Sequence, residues 1–472
     1  MPTTIQFGTE GWRAVMAEAF TADNVRVVAQ AIAEHYRAQT RGGQPALVIG
    51  YDTRFLSDHF ARAAAEVLAG NGVRVILSDR RVPTCAVSRY VKDRGLPGGV
   101  MITASHNPPE YNGIKVKARY GGSATSETVA ALERRLGRTR PRVLPLAAAR
   151  ARGLVVERNL MPTYLAGIRR FVDLDIIRRQ PFRVVADAMH GAAGTLIEAL
   201  LHGGRCRVET LRGTRDPLFG GHAPEPVARN LQALITRVVR TRAHAGIAND
   251  GDADRVAVIA PDGRRLHSGI LLCVLLQYLV EGRRQAGAVA TTISNTVMVK
   301  RMAQDLGLRV FEEPVGFKYL VKRMLEADVL IAGEETGGIG LRGYLPERDG
   351  VLNGLLTLEA MAVQRRTLAQ LVGELERRYG RWHSDLQNLH LDPARVQRLF
   401  AKLPRWRPAR LAGSPVRAFS TLDGVKVITE DDSWLLFRRS GTEPIVRVYA
   451  ESLRRDRLAA LLRLGTRLAQ AA

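Results

Sequence analysis

Residues 245–260 read AGIANDGDADRVAVIA. Two short apolar runs, Ala245 to Ala248 and Val256 to Ala260, flank a loop that carries Asp250, Asp252 and Asp254. The runs have the length and composition of buried strands, and the loop sits where the first strand ends, which is where open α/β sheets bind ligands. The three carboxylates alternate along the chain, so an extended loop can aim them at one point. Carboxylates so gathered repel each other unless a hard cation compensates them, and an all-oxygen donor set suits Mg²⁺. An EF-hand is disfavoured, because the glycine and the later glutamate are not at that motif's spacing.

The same grammar extends outward in both directions. Upstream, Arg183 to Ala186 reads as a strand, Ala192 to Leu201 as a helix, Arg207 to Leu211 as a strand and Val227 to Arg240 as a helix. Earlier still, ALVIGYD (46–52) is a strand, Asp58 to Ala69 a helix ending at Gly70, and Val73 to Leu77 a strand; Val100 to Thr103 is another, running into ASHNPPEYNG. Residues 138–153, rich in Arg, Pro, Ala and Gly, suit a linker. Downstream, Gly269 to Val280 is an apolar helix, Ala288 to Ile293 a strand, and Val329 to Ala332 a strand that enters GEETGG. Near the end, Gly424 to Thr429 and Trp434 to Arg438 precede the loop RRSGTEP, Ile445 to Ala450 follows it, and a helix begins at Leu453. The pattern predicts an α/β protein with mixed sheets: units at 1–150, 151–266 and 267–380, and a smaller α+β unit at 381–472.

Each unit ends a strand in a polar loop. In TASHNPPEYNGIKV (103–116), turn-forming residues hold the Ser105 hydroxyl out as a candidate covalent nucleophile. In GEETGG (333–338), Glu334 and Thr336 can hydrogen-bond sugar hydroxyls. In RRSGTEP (438–444), Arg438, Ser440, the Gly441 N–H and Thr442 have the composition of a phosphate cradle. Arg255 can reach a phosphate beside the cation. FGTEGWR, ending in Arg13, and PVGFKYL, carrying Lys318, are weaker candidates.

Composition narrows the class. The net charge is +24, and of 70 basic residues only 8 are lysine, so 62 are arginine. They are scattered, and the aromatic residues do not interleave with them as on a stacking surface, so no nucleic-acid partner is expected. Three separated cysteines give no disulfide framework or zinc site and fit a reduced cytoplasm. The first residues lack a signal-peptide core, and the run 269–280 is too short for a bilayer, so no membrane association is expected.

Taken in order from Phe7 to Glu451, these motifs resemble those of the α-D-phosphohexomutases: phosphoglucomutase, phosphomannomutase and phosphoglucosamine mutase. The resemblance implies four domains around a central cleft, with Ser105 as the phosphoserine. It also implies that Asp250, Asp252 and Asp254, with a phosphoserine oxygen, bind Mg²⁺. Glu334 and Thr336 match the sugar loop, and Arg438, Ser440, Gly441 and Thr442 the phosphate loop. Arg13, Lys115, Arg255 and Lys318 match basic residues of the cleft, and His106 and Lys115 are candidates for acid–base work. The implied reaction interconverts hexose 1- and 6-phosphates through a 1,6-bisphosphate, which also serves as activator, in a monomer or homodimer. Gly338 stands where many phosphomannomutases and phosphoglucosamine mutases carry histidine, which favours glucose phosphates. A sugar-phosphate phosphatase using an aspartyl nucleophile is the alternative of a different class.

Overall fold

The computed structural model describes residues 5–8, 10–40, 42–439 and 445–472. The first sheet has six strands in the spatial order Trp12–Val15, Tyr111–Ala118, Gly98–Ile102, Ala46–Tyr51, Arg74–Ser78 and Val155–Arg158. The last four run parallel, while Tyr111–Ala118 turns back against Gly98–Ile102. Val155–Arg158 belongs to this sheet although it lies beyond residue 150. The expected linker at 138–153 is partly ordered: Leu146–Ala151 is a helix with Ala149 buried.

The second sheet has the order Val256–Ile259, Ala245–Asn249, Arg183–Asp187 and Arg207–Leu211; the third has Val310–Glu313, Ala288–Thr292, Val329–Gly333 and Ile339–Leu341. The fourth is a six-stranded sheet, antiparallel throughout. Three loops therefore have equivalent places. Residues 103–110, 250–255 and 334–338 each join a strand of a parallel set to the antiparallel strand that returns beside it. Residues 440–444 join Trp434–Arg439 to its antiparallel neighbour Ile445–Ser452, and those five residues lie outside the described part of the chain.

The expected helix Val227 to Arg240 is broken. Ala228–Asn230 is a 3₁₀ turn and the α-helix runs Gln232–Thr241. The Asn230 amide donates to the carbonyls of Ala223 and Glu225, a local alternative that competes with helix extension. The helix expected from Ala192 begins only at Leu196, after a turn that packs against the second unit's loop.

The core explains how the units hold together. Leu47 and Ile49 belong to the first unit's own core, while Val48 on the same strand faces the other way. Val48 and Met101 enter a large apolar cluster that continues through Ile247, Leu272, Leu330 and Leu355. One core thus runs through the first three units. The fourth has a separate core, with Leu435, Phe437, Val446 and Leu461, and meets the third through Ile293, Trp434, Leu436 and Tyr449. Among the described residues no helix is long and apolar enough to cross a membrane, and the three cysteines are buried and unpaired.

Candidate active site

Ser105 follows the strand Gly98–Ile102 in a left-handed conformation, φ 53°. A non-glycine residue there is strained, so its surroundings must impose it. The Ser105 N–H donates to Thr103 Oγ1 at 2.8 Å. Arg54 is fully buried, and its guanidinium donates to the carbonyls of Ser105 (2.7 Å), Asn107 (2.6 Å), Pro108 (2.8 Å) and Tyr111 (3.0 Å). Arg54 is itself stacked over Phe219 and paired with Asp52. It stands in YDTR, directly after a strand, and that position was the available signal for a residue that sequence reasoning missed.

The Ser105 hydroxyl donates to Asp250 Oδ2 at 2.8 Å, across 145 residues of chain. The loops approach so closely that a Cβ at Gly251 would lie 2.5 Å from the Ser105 carbonyl oxygen; a side chain does not fit. Asp250, Asp252 and Asp254 are all fully buried, and their oxygens lie within 4.8 Å of one another. Asp252 Oδ2 accepts from Thr84 Oγ1 (2.5 Å) and Lys115 Nζ (2.8 Å), and Asp254 Oδ2 accepts from Lys115 (2.8 Å) and Arg348 (2.7 Å). Each of these two aspartates keeps its Oδ1 buried and without a partner. Burial, then the charges of Asp254 and Asp252, push Asp250 well above the usual carboxylate range. Unpartnered buried carboxylate oxygens converging beside a hydroxyl are the donor set of a hard divalent cation, so the residues present fit Mg²⁺.

Lys115 is 1% exposed and lies against Asp252, Asp254 and Glu10. Burial would lower it, but the charges of Asp252 and Asp254 prevail and raise it. His106 Nδ1 lies 3.2 Å from Glu225 Oε1, which leaves Nε2 as the lone-pair nitrogen. Burial and then Arg255 push His106 down to about 4, so the imidazole is neutral at pH 7. Arg13 Nη1 donates to Asn107 Oδ1 at 2.7 Å, on the Ser105 loop. The Arg255 N–H donates to Asp250 Oδ1 at 3.1 Å, while its Nε is buried without a partner.

In the third unit's loop, Glu334 accepts from Arg348 at 3.0 Å, and Thr336 Oγ1 is buried with nothing to bond. Glu334 is joined to Asp254 of the aspartate cluster through Arg348, which also reaches Glu10. Thr84, Glu10, Glu225 and Arg348 are further residues that the motif reading passed over. Lys318 is not brought to the cluster: it lies over the Tyr319 ring. Arg438 is turned to Asp423 (2.6 Å), whose Oδ2 also takes the Val315 N–H, tying the 314–316 turn to the last unit. Ser440, Gly441 and Thr442 lie outside the described residues.

Comparison with known proteins agrees with this geometry. The phosphoglucomutase/phosphomannomutase α/β/α domains I, II and III match residues 4–142, 162–263 and 268–379, and the C-terminal domain matches 386–463. A phosphoglucomutase/phosphomannomutase of Thermococcus kodakarensis is 30% identical over 99% of this chain and 98% of its own length. A phosphoglucosamine/phosphogalactosamine mutase of Sulfurisphaera tokodaii is 30% identical over 94% of this chain and 95% of its own. A solved Thermus thermophilus structure bearing the name phosphomannomutase superposes with a TM-score of 0.87 at 34% identity, covering both chains fully. With all four domains matched in order and a relative of this identity along its whole length, the chain belongs to the phosphoglucomutase/phosphomannomutase family of phosphohexomutases.

Proposed function

We propose that this enzyme interconverts glucose 1-phosphate and glucose 6-phosphate, with Ser105 as the phosphoryl carrier and Asp250, Asp252 and Asp254 as Mg²⁺ ligands. The supporting observation is the 2.8 Å contact between the Ser105 hydroxyl and Asp250, beside two aspartate oxygens with nothing to bond. When bound, the cation would neutralise charge on the phosphoryl group.

In this reading the residues divide the work. Arg54 and Arg13 hold the Ser105 loop. The phosphoryl group leaves Ser105 Oγ for a sugar hydroxyl, whose proton passes to His106 Nε2; the electron pair of the broken P–O bond stays on Oγ, which takes up a proton to restore the serine hydroxyl. Lys115 suits that acceptor role poorly, because its ammonium is held among three carboxylates. It serves instead as fixed positive charge. Arg255, with an unspent Nε, faces the phosphate; Glu334 and Thr336 read sugar hydroxyls. The phosphate at the far end of the sugar falls to the 438–442 loop, and there Arg438 would exchange Asp423 for the ligand. Lys318 would come to the cleft by swinging its flexible side chain away from the Tyr319 ring. The bisphosphate intermediate turns over in the cleft and also serves as activator. The division 1–150, 151–266, 267–380 and 381–472 gives each unit one of the four loops.

The test is a coupled assay of glucose 1-phosphate conversion with and without glucose 1,6-bisphosphate, with mass spectrometry of the phosphorylated residue. Stimulated turnover and phosphate on Ser105 are expected. Phosphate on Asp250 or Asp252 with a bare Ser105 would point to a phosphatase instead. Amino sugars form the second reading, favoured by the Sulfurisphaera relative's name; parallel kinetics on glucose, mannose and glucosamine phosphates decide it.

A further inference from the structure

Arg348 lies just ahead of the helix Gly350–Gln364 and is 3% exposed. Its guanidinium joins carboxylates from three units. Nη1 donates to Glu334 Oε1 at 3.0 Å, and Nη2 donates to Asp254 Oδ2 at 2.7 Å and to Glu10 Oε2. Its flat face rests over the Phe317 ring, 5.1 Å from the centroid. The Arg348 carbonyl accepts from Cys85 Sγ at 2.6 Å, fixing the backbone from which the side chain springs.

The stem crosses the space that a side chain at position 338 would fill. A Cβ on Gly338 would lie 2.2 Å from Arg348 Cδ and 2.8 Å from Glu334 Oε1. Gly338 is not among the left-handed positions, so the glycine supplies room there rather than conformational freedom.

Building on the hexose-phosphate reading of this cleft, we infer that Arg348 is the positioning residue for the sugar-reading carboxylate Glu334, and that glycine at 338 is required to admit it. A carboxylate with one oxygen held by a buried guanidinium presents its other oxygen in a fixed direction, which an unanchored glutamate on a glycine-rich turn does not. Nη2 carries the same constraint to Asp254, so sugar recognition and the aspartate cluster share one rigid fork. A lysine ammonium cannot span Glu334, Asp254 and Glu10 in that geometry.

The experiment compares wild type, Gly338→Ala, Arg348→Lys, Arg348→Met and the double variant Gly338→Ala/Arg348→Met. It uses kinetics on glucose 1-phosphate and mannose 1-phosphate, and calorimetric binding of glucose 6-phosphate and of Mn²⁺. Gly338→Ala keeps every charge but displaces the arginine stem and also crowds Glu334 Oε1, so Arg348→Lys, which leaves position 338 untouched, is the arm that acts through the guanidinium alone. Gly338→Ala is expected to raise KM and the glucose 6-phosphate Kd roughly tenfold while kcat changes less than about threefold, the signature of lost ground-state binding; because the same fork holds Asp254, Mn²⁺ binding should weaken as well, by a smaller factor. The preference between glucose and mannose phosphates should move toward unity. Arg348→Lys should raise KM similarly, and it carries the test with Gly338→Ala if Arg348→Met does not fold. In the double variant, Gly338→Ala should add only what its direct crowding of Glu334 Oε1 costs, so the combined effect stays well below the product of the two single effects. An unchanged KM and Kd in Gly338→Ala, or effects that multiply in the double variant, overturns the inference while wild-type turnover stands. Wild type that binds Mn²⁺ but turns over no hexose phosphate overturns the underlying reading.

Discussion

Arg54 Nη2 donates to the carbonyl oxygen of Ser105 at 2.7 Å, so a buried cation, with no contact to the serine hydroxyl itself, holds the loop that displays it. The Arg54→Lys variant keeps the charge but cannot reach four carbonyls at once. Its kcat is expected to fall about 100-fold, since displacement of a reacting atom by about 1 Å costs that much. Stability should fall by about 3 kcal/mol, because several charge-assisted bonds are lost in a buried site. Turnover assays and urea denaturation read the two effects, and retention of wild-type kcat would remove Arg54 from this role.

Ser105→Ala should abolish turnover, because the hydroxyl is the proposed carrier. Ser105→Gly should be equally inactive but about 1 kcal/mol more stable than Ser105→Ala, because φ 53° strains any residue with a Cβ. Denaturation midpoints of the two inactive proteins decide whether the strain is real.

Asp252→Asn replaces an oxygen that faces the proposed cation and weakens the partner of Lys115. Mn²⁺ affinity should drop at least about tenfold by calorimetry, as expected when a hard cation loses an anionic ligand. An unchanged affinity would exclude Asp252 from the ligand set.

Asp349 is buried, accepts from Tyr164 and Tyr344, and caps the helix Gly350–Gln364. Burial pushes it up to about 6 despite those bonds. An acid raised in the folded state binds more protons there than in the unfolded chain. Its stabilising contribution is complete below the unfolded value of 3.8 and is lost as pH rises through about 6. A shift of this size corresponds to about 3 kcal/mol. Asp349→Asn should therefore gain stability relative to wild type between about pH 4 and 7, in parallel urea titrations. A difference that does not vary with pH would contradict the burial argument.

The parts of the site that were legible in the sequence are those whose chemistry is packed into a few consecutive residues. Asp250, Asp252 and Asp254 announce themselves because alternation alone aims them together, and Ser105 because turn formers surround it. Arg54, Glu225 and Arg348 were not legible. Each is a single charged residue in an arginine-rich chain, and its meaning lies in what folding places opposite it. Glu10 stood inside a quoted motif, but nothing local distinguished it from Arg13 as the group to watch. The helix expected from Val227 failed for a similar reason: Asn230 spends its amide on carbonyls that precede it. The four-unit architecture was legible, whereas the equivalence of the three hairpin loops emerges only from strand pairing, which a run of apolar residues does not specify.

The contrast between the apolar cluster shared by the first three units and the separate core of the fourth sorts the molecule mechanically into an anvil and a jaw. Ser105, the aspartates and Glu334 stand on the anvil, where sliding one loop past another would tear apolar packing common to three units. Arg438 stands on the jaw, which grips through the Ile293–Trp434–Leu436–Tyr449 patch and a few polar ties such as the Val315 N–H to Asp423 Oδ2. Tilting one body can therefore give the proposed bisphosphate swinging room, with the reacting groups kept in register throughout.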